Sequence, residues 1–424
     1  MSKPSVSPPV QSFSKKVIAA WGSFDFAMSS FSGIIVTFVF PIYFRNVIVT
    51  NGHGDSIWGF TLSASMLLVA ISSPLLGAMA DVLRNKKAFL GIFTSVTILC
   101  TILLYFMGPG MVLIAAALFI IANIGYEGGT VFYDAFLPEI TTPQTYGRVS
   151  GFGYACGYFG SLMILIVNMP FFETAPKFTF IVTAAFLFLF SIPMFFIVPE
   201  QRRNSHLSFP QIVRQGFSQL ATTVRHIRQY KDVTRFLTAF FIYNDALLTV
   251  ILFAGIFANQ TLHFGMTQLA IWFGMIQIIA ILGSILFGKF ADKHGPKLTI
   301  TITLFIWIGV VTEAYFTTTA AEFYVVGAIA GISLGSSQAS SRAFMALLTP
   351  PEHSAEFFGF YDGFCGKASA VIGPIVFGVL SDLFGSQRPA IWALAGFFII
   401  GLILLRRVNE KRAVAEEELL EIAS

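Results

Sequence analysis

The sequence predicts an all-α polytopic membrane protein: twelve transmembrane helices in two pseudo-symmetric six-helix halves. Three observations carry that expectation. The chain is 55% hydrophobic, with 48 Phe, and only 11% of its 424 residues are charged. A soluble domain averages about 25% charged residues and could not solvate its surface on less than half of that. The apolar residues gather in twelve runs, each near the ~20 residues that a spanning helix needs. Finally, one charged turn occurs twice. Gly77 to Lys87 reads GAMADVLRNKK, and Gly288, 211 positions after Gly77, opens GKFADKHGPK, which ends at Lys297.

Taken in order, residues 1–16 form a Ser/Pro-rich N-terminus expected to be disordered. Runs at about 17–43, 57–79, 87–107, 111–134, 149–171 and 178–198 make an N-terminal bundle, 17–198. Runs at about 235–259, 267–289, 297–316, 322–347, 356–380 and 388–406 make a C-terminal bundle, 235–406, followed by a tail, 407–424. The first run exceeds the 7–15 apolar residues of a signal-peptide core and lacks a clear cleavage site, so it is read as a span. Between the bundles, 199–234 carries Phe209, Ile212, Val213, Phe217, Leu220, Val224 and Ile227 at helical spacing, with Ser208 able to cap and Pro210 in the first turn. That pattern predicts an amphipathic helix on the inner leaflet, serving as a tether or as a regulatory element. Cys100, Cys156 and Cys365 all lie in apolar runs without a CxxC and read as core residues.

Lys and Arg set the orientation. Lys3, Lys15, Lys16, Arg84, Lys86, Lys87, Arg148, the 202–235 cluster, Lys289, Lys293, Lys297, Arg342 and the 406–412 cluster fall on one side of the expected spans; Arg45, Lys177 and Arg388 fall on the other. Both termini and the central loop are therefore expected in the cytoplasm. The net charge of +4 reflects this distribution rather than nucleic-acid binding.

The duplication runs beyond the charged turn. Asp25 in segment one (FDFAMS) is echoed by Asp245 in segment seven (IYNDAL), beside Asn244. Segments four and ten end before Pro138 and Pro350, and segments five and eleven are Gly-rich. Duplicated helical halves with a site at their interface are a transporter architecture.

Charges within spans cost roughly 2.5–3.5 kcal/mol each on insertion scales, so they mark functional candidates. Asp25, Glu127 and Asp245 could carry a proton or meet a cationic group; Asn244, Gln338, Arg342 and Lys367 could meet an anionic group or pair with those acids. Plainer readings stand beside each. Asp25 and Asp245 could bond only to backbone at a helix irregularity. Glu127, among glycines, could be a structural carboxylate. Lys367 must be neutral or have an acidic partner. Arg342 is close enough to the interface to snorkel. Asp134 shares the inner half of segment four with Glu127, and Asp362 is placed shallower. The glycines at 327, 331 and 335, and those near segment five, read as close helix packing.

Soluble-enzyme chemistry is not visible. GSILFGK at Gly283 to Lys289 resembles a phosphate loop but has Phe290 where Ser or Thr would bind magnesium, and it lies in a span. The six His lack HExxH spacing, so no metal site or cofactor is expected. The sequence therefore predicts no enzyme. Its alternative to a transporter is a receptor or scaffold that keeps the fold.

The two loops resemble the signature loop of the major facilitator superfamily, whose Asp and basic residues form a cytoplasmic latch. That resemblance assigns gating to Gly77, Asp81, Arg84, Lys86 and Lys87, and to Gly288, Asp292, Gly295 and Lys297. In the first copy Leu83 stands where a Gly is usual before the Arg. A narrower resemblance, to the vacuole-effluxer family, rests on WGSFDFAMSSF, FYDAFLPEI, SGFGYACGYFGS, IYNDALLTV, SSQASSRAFMALLTP and AEFFGFYDGFCGKASAVIGP. It departs at Met28 and Ala246, which flank candidate polar sites. It implies a monomeric, lipid-embedded secondary transporter of a small solute, with an amino acid or related zwitterion as candidate. Coupling to a proton or cation, efflux, and a bacterial inner (plasma) membrane are expected with it.

Overall fold

The computed structural model describes residues 14–50, 54–83, 85–172, 174–200, 209–225, 230–264, 266–350, 353–369, 372–384 and 386–410. Among the described residues there is no strand, and eleven helices are long and apolar enough to cross a membrane. In the N-terminal half these are α1 (Lys15–Ile48), α2 (Gly54–Leu83), α3 (Lys86–Leu104), α4 (Val112–Asp134), α5 (Tyr146–Asn168) and α6 (Phe178–Ile197). A linker helix, α7 (Phe209–Arg225), precedes α8 (Lys231–Gln260), α9 (Met266–His294), α10 (Pro296–Phe316) and α11 (Ala320–Leu348). The outer faces stay apolar: Phe60, Leu113 and Phe196 are 77%, 84% and 84% exposed, as lipid-facing positions require.

The remaining span, expected as a helix over 356–380, is divided by its winding. It starts as α12 (Ser354–Phe358), widens into a π-helix (Gly359–Cys365) and returns to α at Gly366–Ala368; beyond residues 370 and 371, which are not described, it runs as α13 (Ile372–Phe384). It still has to cross the bundle. Asp81 of α2 holds its start, while α14 (Gln387–Arg406) comes back to end against Lys297, at the same basic end. Seven of its first twelve residues, 354–365, are Gly or aromatic, and Gly359 lies so close to α2 that a Cβ there would be 2.6 Å from the Ser73 carbonyl oxygen. A π-helical turn at such a contact is a recurrent functional feature of membrane helices. α1 is also π-wound, over Ser32–Phe38 and Phe44–Ile48.

Helix starts follow local chemistry. Thr319 and Glu322 form a capping box at α11. Asn85 caps α3 by accepting the Ala88 N–H, so the first charged turn is closed by an Asn side chain where the second uses Gly295 at φ 90°.

The linker helix also contacts the bundle. Ile212, Gly216 and Thr223 turn inward, and a Cβ on Gly216 would fall 2.6 Å from Met79 Cγ of α2. Gln219 donates to Glu356 at 2.9 Å. Only part of its apolar face remains outward, with Phe217 54% exposed. Of the predicted apolar stripe, Ile212 is buried on the protein, Val213 and Leu220 are half-buried and Phe217 faces outward. Ser208 and Ile227 lie outside the described residues.

Candidate functional site

Two clusters of buried charge join the halves at the centre. The first is built on Arg342 of α11, which is 2% exposed. Its Nη1 reaches Asp134 Oδ1 at 2.8 Å and Asp25 Oδ2 at 3.4 Å; Nε donates to Ser150 Oγ at 3.0 Å, and Nη2 to the Ser150 carbonyl at 2.8 Å. The guanidinium carbon lies 4.0 Å from the centre of the Tyr154 ring and 5.0 Å from that of Trp21. A planar, always-charged group with five donors suits such a cage. Snorkelling, the reading open from sequence, does not occur: the side chain turns into the other half, where carboxylates and aromatic faces replace water.

Local sequence explains the cage. Trp21 Nε1 donates to the Tyr133 carbonyl at 3.1 Å, and the two rings stack 4.5 Å apart, fixing α1 on α4. In α5, a Cβ on Gly153 would lie 2.7 Å from Arg342 Nη2, and one on Gly157 would lie 2.9 Å from Asp25 Oδ1. The Gly-rich run thus makes room for the charged groups as well as for helix packing. Gly153→Val is expected to expel Arg342 from its cage, lowering the thermal unfolding midpoint in detergent and abolishing solute exchange. Gly274→Val, at a position open to space, should leave both close to the parent.

The second cluster is built on the divided segment. Lys367 Nζ lies 2.6 Å from Glu127 Oε2 of α4. Thr130 Oγ1, one turn further along α4, donates to Asp362 Oδ2 at 2.8 Å. The pairing of Lys367 with an acid is the one that its burial demands. Between the clusters lies a cavity of about 230 Å³, lined by Asp25, Glu127, Asp134, Arg342, Asp362 and Lys367 together with tyrosines and small hydroxyl side chains.

The other sequence candidates lie apart from that lining. Asp245 accepts the Gly373 N–H at 2.8 and 2.9 Å to its two oxygens, at the start of α13. Asn244 donates to Ser369 Oγ at 2.9 Å. Both bind that segment, Asn244 before and Asp245 after residues 370 and 371. Gln338 is half-buried on α11, one turn before Arg342. Sequence reasoning left Asp134, Asp362 and Ser150 out of the site. Their signal was burial of charge at the cost noted above, but only the fold shows that 134 and 150 meet 342.

The charged turns lie at the basic end of the bundle, and each reaches across to the other half. Asp81 accepts the N–H groups of Ala355 and Glu356 at 3.2 and 2.8 Å, capping α12. Asp292 accepts the Arg148 backbone N–H at 3.1 Å and its Nε at 2.6 Å, at the start of α5. Backbones touch beside both: a Cβ on Gly77 would collide with the Ala355 carbonyl, and one on Gly288 would lie 2.5 Å from the Gly147 carbonyl oxygen. Lys86 contacts Glu139 at 2.5 Å and also reaches Ser354 Oγ. Lys87 and Lys297 do not cross. Lys87 donates its N–H to Glu200 at 2.8 Å and its ammonium to the Phe195 and Val198 carbonyls. Lys297 donates its N–H to Glu410 at 3.3 Å and its ammonium to the Arg406 and Val408 carbonyls at 3.2 and 2.6 Å. Burial pushes the Glu410 carboxyl above its usual range, opposed by the N–H and charge of Lys297. Arg84 lies outside the described residues.

The family model described as "Vacuole effluxer Atg22 like" matches residues 51–418. The chain belongs to that family. Among its relatives, the uncharacterized MFS-type transporter YxiO of Bacillus subtilis (strain 168) is 32% identical over 408 residues, covering 92% of this chain and 94% of that one. Autophagy-related protein 22 of Eremothecium gossypii is 24% identical over 420 residues, covering 90% and 82%. The fold is that of major facilitator transporters. The human organic anion transporter MFSD10 superposes with a TM-score of 0.73 at 13% identity, covering 94% of this chain and 100% of that one. The E. coli fucose:proton symporter FucP gives 0.71 at 12%, covering 92% and 98%. This Atg22-like protein is therefore a multi-pass membrane protein of a transporter family, and its relatives and structural neighbours are transporters, not enzymes.

Proposed function

We propose that this protein is a secondary active transporter that moves a small amine-bearing solute, such as an amino acid, by rocking one half against the other. One observation carries the reading: the central cavity and the basic-end seal are both made of charged contacts between halves. A rocking motion has to exchange these contacts, and buried charges bias such an exchange according to what occupies the cavity. Asp25 and Glu127 carry a coupling proton or meet the substrate's cationic group; Asn244 and Asp245 act by holding the π-wound segment on which Lys367 sits, and Gln338 supports Arg342 from the preceding turn. The bias of Lys and Arg toward the end carrying both termini supports a cytoplasmic placement for the sealed face, and the effluxer description of the family supports export across a plasma membrane. No cofactor, metal or nucleic acid enters this reading, and a monomer suffices for it.

The test is reconstitution in liposomes with an imposed pH gradient. Driven amino-acid uptake should fall at least about tenfold in Asp25→Asn and Glu127→Gln. Unchanged driven uptake in both variants would refute the coupling role.

A further inference from the structure

The cavity holds more carboxylates than cations, and this sets the charge of what it takes. It rests on the transporter reading above and narrows it. Among its described lining residues are four carboxylates, Asp25, Glu127, Asp134 and Asp362, and two cations, Arg342 and Lys367. The cations are already engaged at short range. Arg342 is bound by Asp134 at 2.8 Å and by Ser150 through two further donors, and its face lies on Tyr154. Lys367 is bound by Glu127 at 2.6 Å. Two carboxylates are left with weaker partners. Asp25 has the outer contact to Arg342 at 3.4 Å and the Tyr133 hydroxyl at 3.3 Å, and its side chain is 18% exposed. Asp362 has the Thr130 hydroxyl at 2.8 Å and, among the described residues, no cation within 4.0 Å, so it feels the Lys367 charge only beyond direct contact and shares it with Glu127.

An anionic substrate would have to displace Asp134 or Glu127 from its cation and leave that carboxylate buried and unpaired, a loss of several kcal/mol. A cationic one would instead neutralise carboxylates whose charge is not yet matched. The neutral lining fits the same occupant. Tyr126 and Tyr158 are among the lining residues, and aromatic rings attract an ammonium group, while Ser29, Ser161 and Gln277 supply acceptors. At about 230 Å³ the space lies below the 300–1,000 Å³ of drug-sized pockets, which limits the solute to metabolite size.

We infer that the cavity selects small solutes of net positive charge, organic amines or basic amino acids, with Asp25 and Asp362 as the carboxylates that read the charge. Arg342 and Lys367 hold the halves together and do not serve as the substrate's anion receptors.

The experiment uses the full chain in proteoliposomes and a charge series on one backbone: labelled lysine, leucine and glutamate, with choline and a four-carbon diamine as further cations. Counterflow should be fastest for the cations, with lysine at least about tenfold ahead of leucine and glutamate slowest. Asp362→Asn should reduce the lysine-to-leucine ratio of counterflow rates by about tenfold. Asp25→Asn should do the same, and Asp362→Asn keeps the test available should that variant fold poorly. Leucine or glutamate exchanging as fast as lysine would overturn the charge assignment and leave the transporter reading intact, because protons would then be what neutralises the spare carboxylates. A preserved lysine preference in Asp362→Asn and Asp25→Asn would overturn their assigned role. Absence of counterflow for all five solutes would overturn this inference, while pH-driven amino-acid uptake in the same liposomes would show whether the transporter reading falls with it.

Discussion

Arg342→Gln should lower the stability of the folded protein by about 3–5 kcal/mol and abolish solute exchange, because it leaves Asp134 buried without its cation. The substitution removes one charge from a group that is 2% exposed and touches three helices of the opposite half. Water cannot replace the lost partner at that depth, and the Ser150 carbonyl loses its donor as well. Asp134→Asn added to Arg342→Gln should return part of the stability, since the amide needs no counter-charge, yet it should not return transport. Arg342→Lys should fall between, keeping a charge but losing the fork that binds Asp134 and Ser150 together. Thermal unfolding in detergent and counterflow in liposomes separate these outcomes. An Arg342→Gln protein as stable as the parent would mean that the charge is not structurally paired.

The difference between the clusters and the latches explains what could be read from the sequence. Helical periodicity and the echo of Gly-x-x-x-Asp are local properties of the chain, so the spans and the two halves were legible without coordinates. A further echo was present and went unread. Val198 and Glu200 stand 210 positions before Val408 and Glu410, as Lys87 stands before Lys297, and each lysine binds its own pair. The site was legible only in part. That Lys367 needs an acid follows from the cost of burying it alone, but which acid does not, because Glu127 is 240 positions away in sequence and the pairing depends on how α4 meets the divided segment. The echo also misled. Asp25 and Asp245 sit at matching places in the repeat, yet Asp25 lines the cavity and Asp245 binds the backbone of Gly373. Pseudo-symmetry fixes the helix a residue occupies; what it faces depends on how the partner helix winds, and segment eleven is π-wound over Gly359–Cys365. That winding had no clear signal beyond its glycines and aromatics, which serve equally for packing.

Asp81→Ala should release the basic-end seal with far more effect than Asp292→Ala, although the two turns carry the same motif. Asp81 is 9% exposed and accepts two backbone N–H groups at the start of α12, in a region that also buries Glu356. Charge-assisted bonds of this kind contribute about 1.5–3 kcal/mol each. Losing both should shift the balance between sealed and open forms by about two to four orders of magnitude. Asp292, whose side chain is 4% exposed, accepts one such N–H, that of Arg148, and pairs with the Arg148 side chain, which is 57% exposed. An exposed partner of that kind adds about 1 kcal/mol or less, and the Gly147 and Gly288 backbones stay in contact without it. Single cysteines placed along the basic end should therefore become more reactive to a polar maleimide in Asp81→Ala than in Asp292→Ala. In exchange assays, Asp81→Ala should reduce maximal rate at least about tenfold while the half-saturating substrate concentration changes less than about threefold. The reason is spatial: Asp81 caps a helix at the end of the bundle, while the cavity that holds the solute is lined by other groups. A selective loss of affinity at unchanged rate would place Asp81 in the binding path and undo that division between sealing and selection.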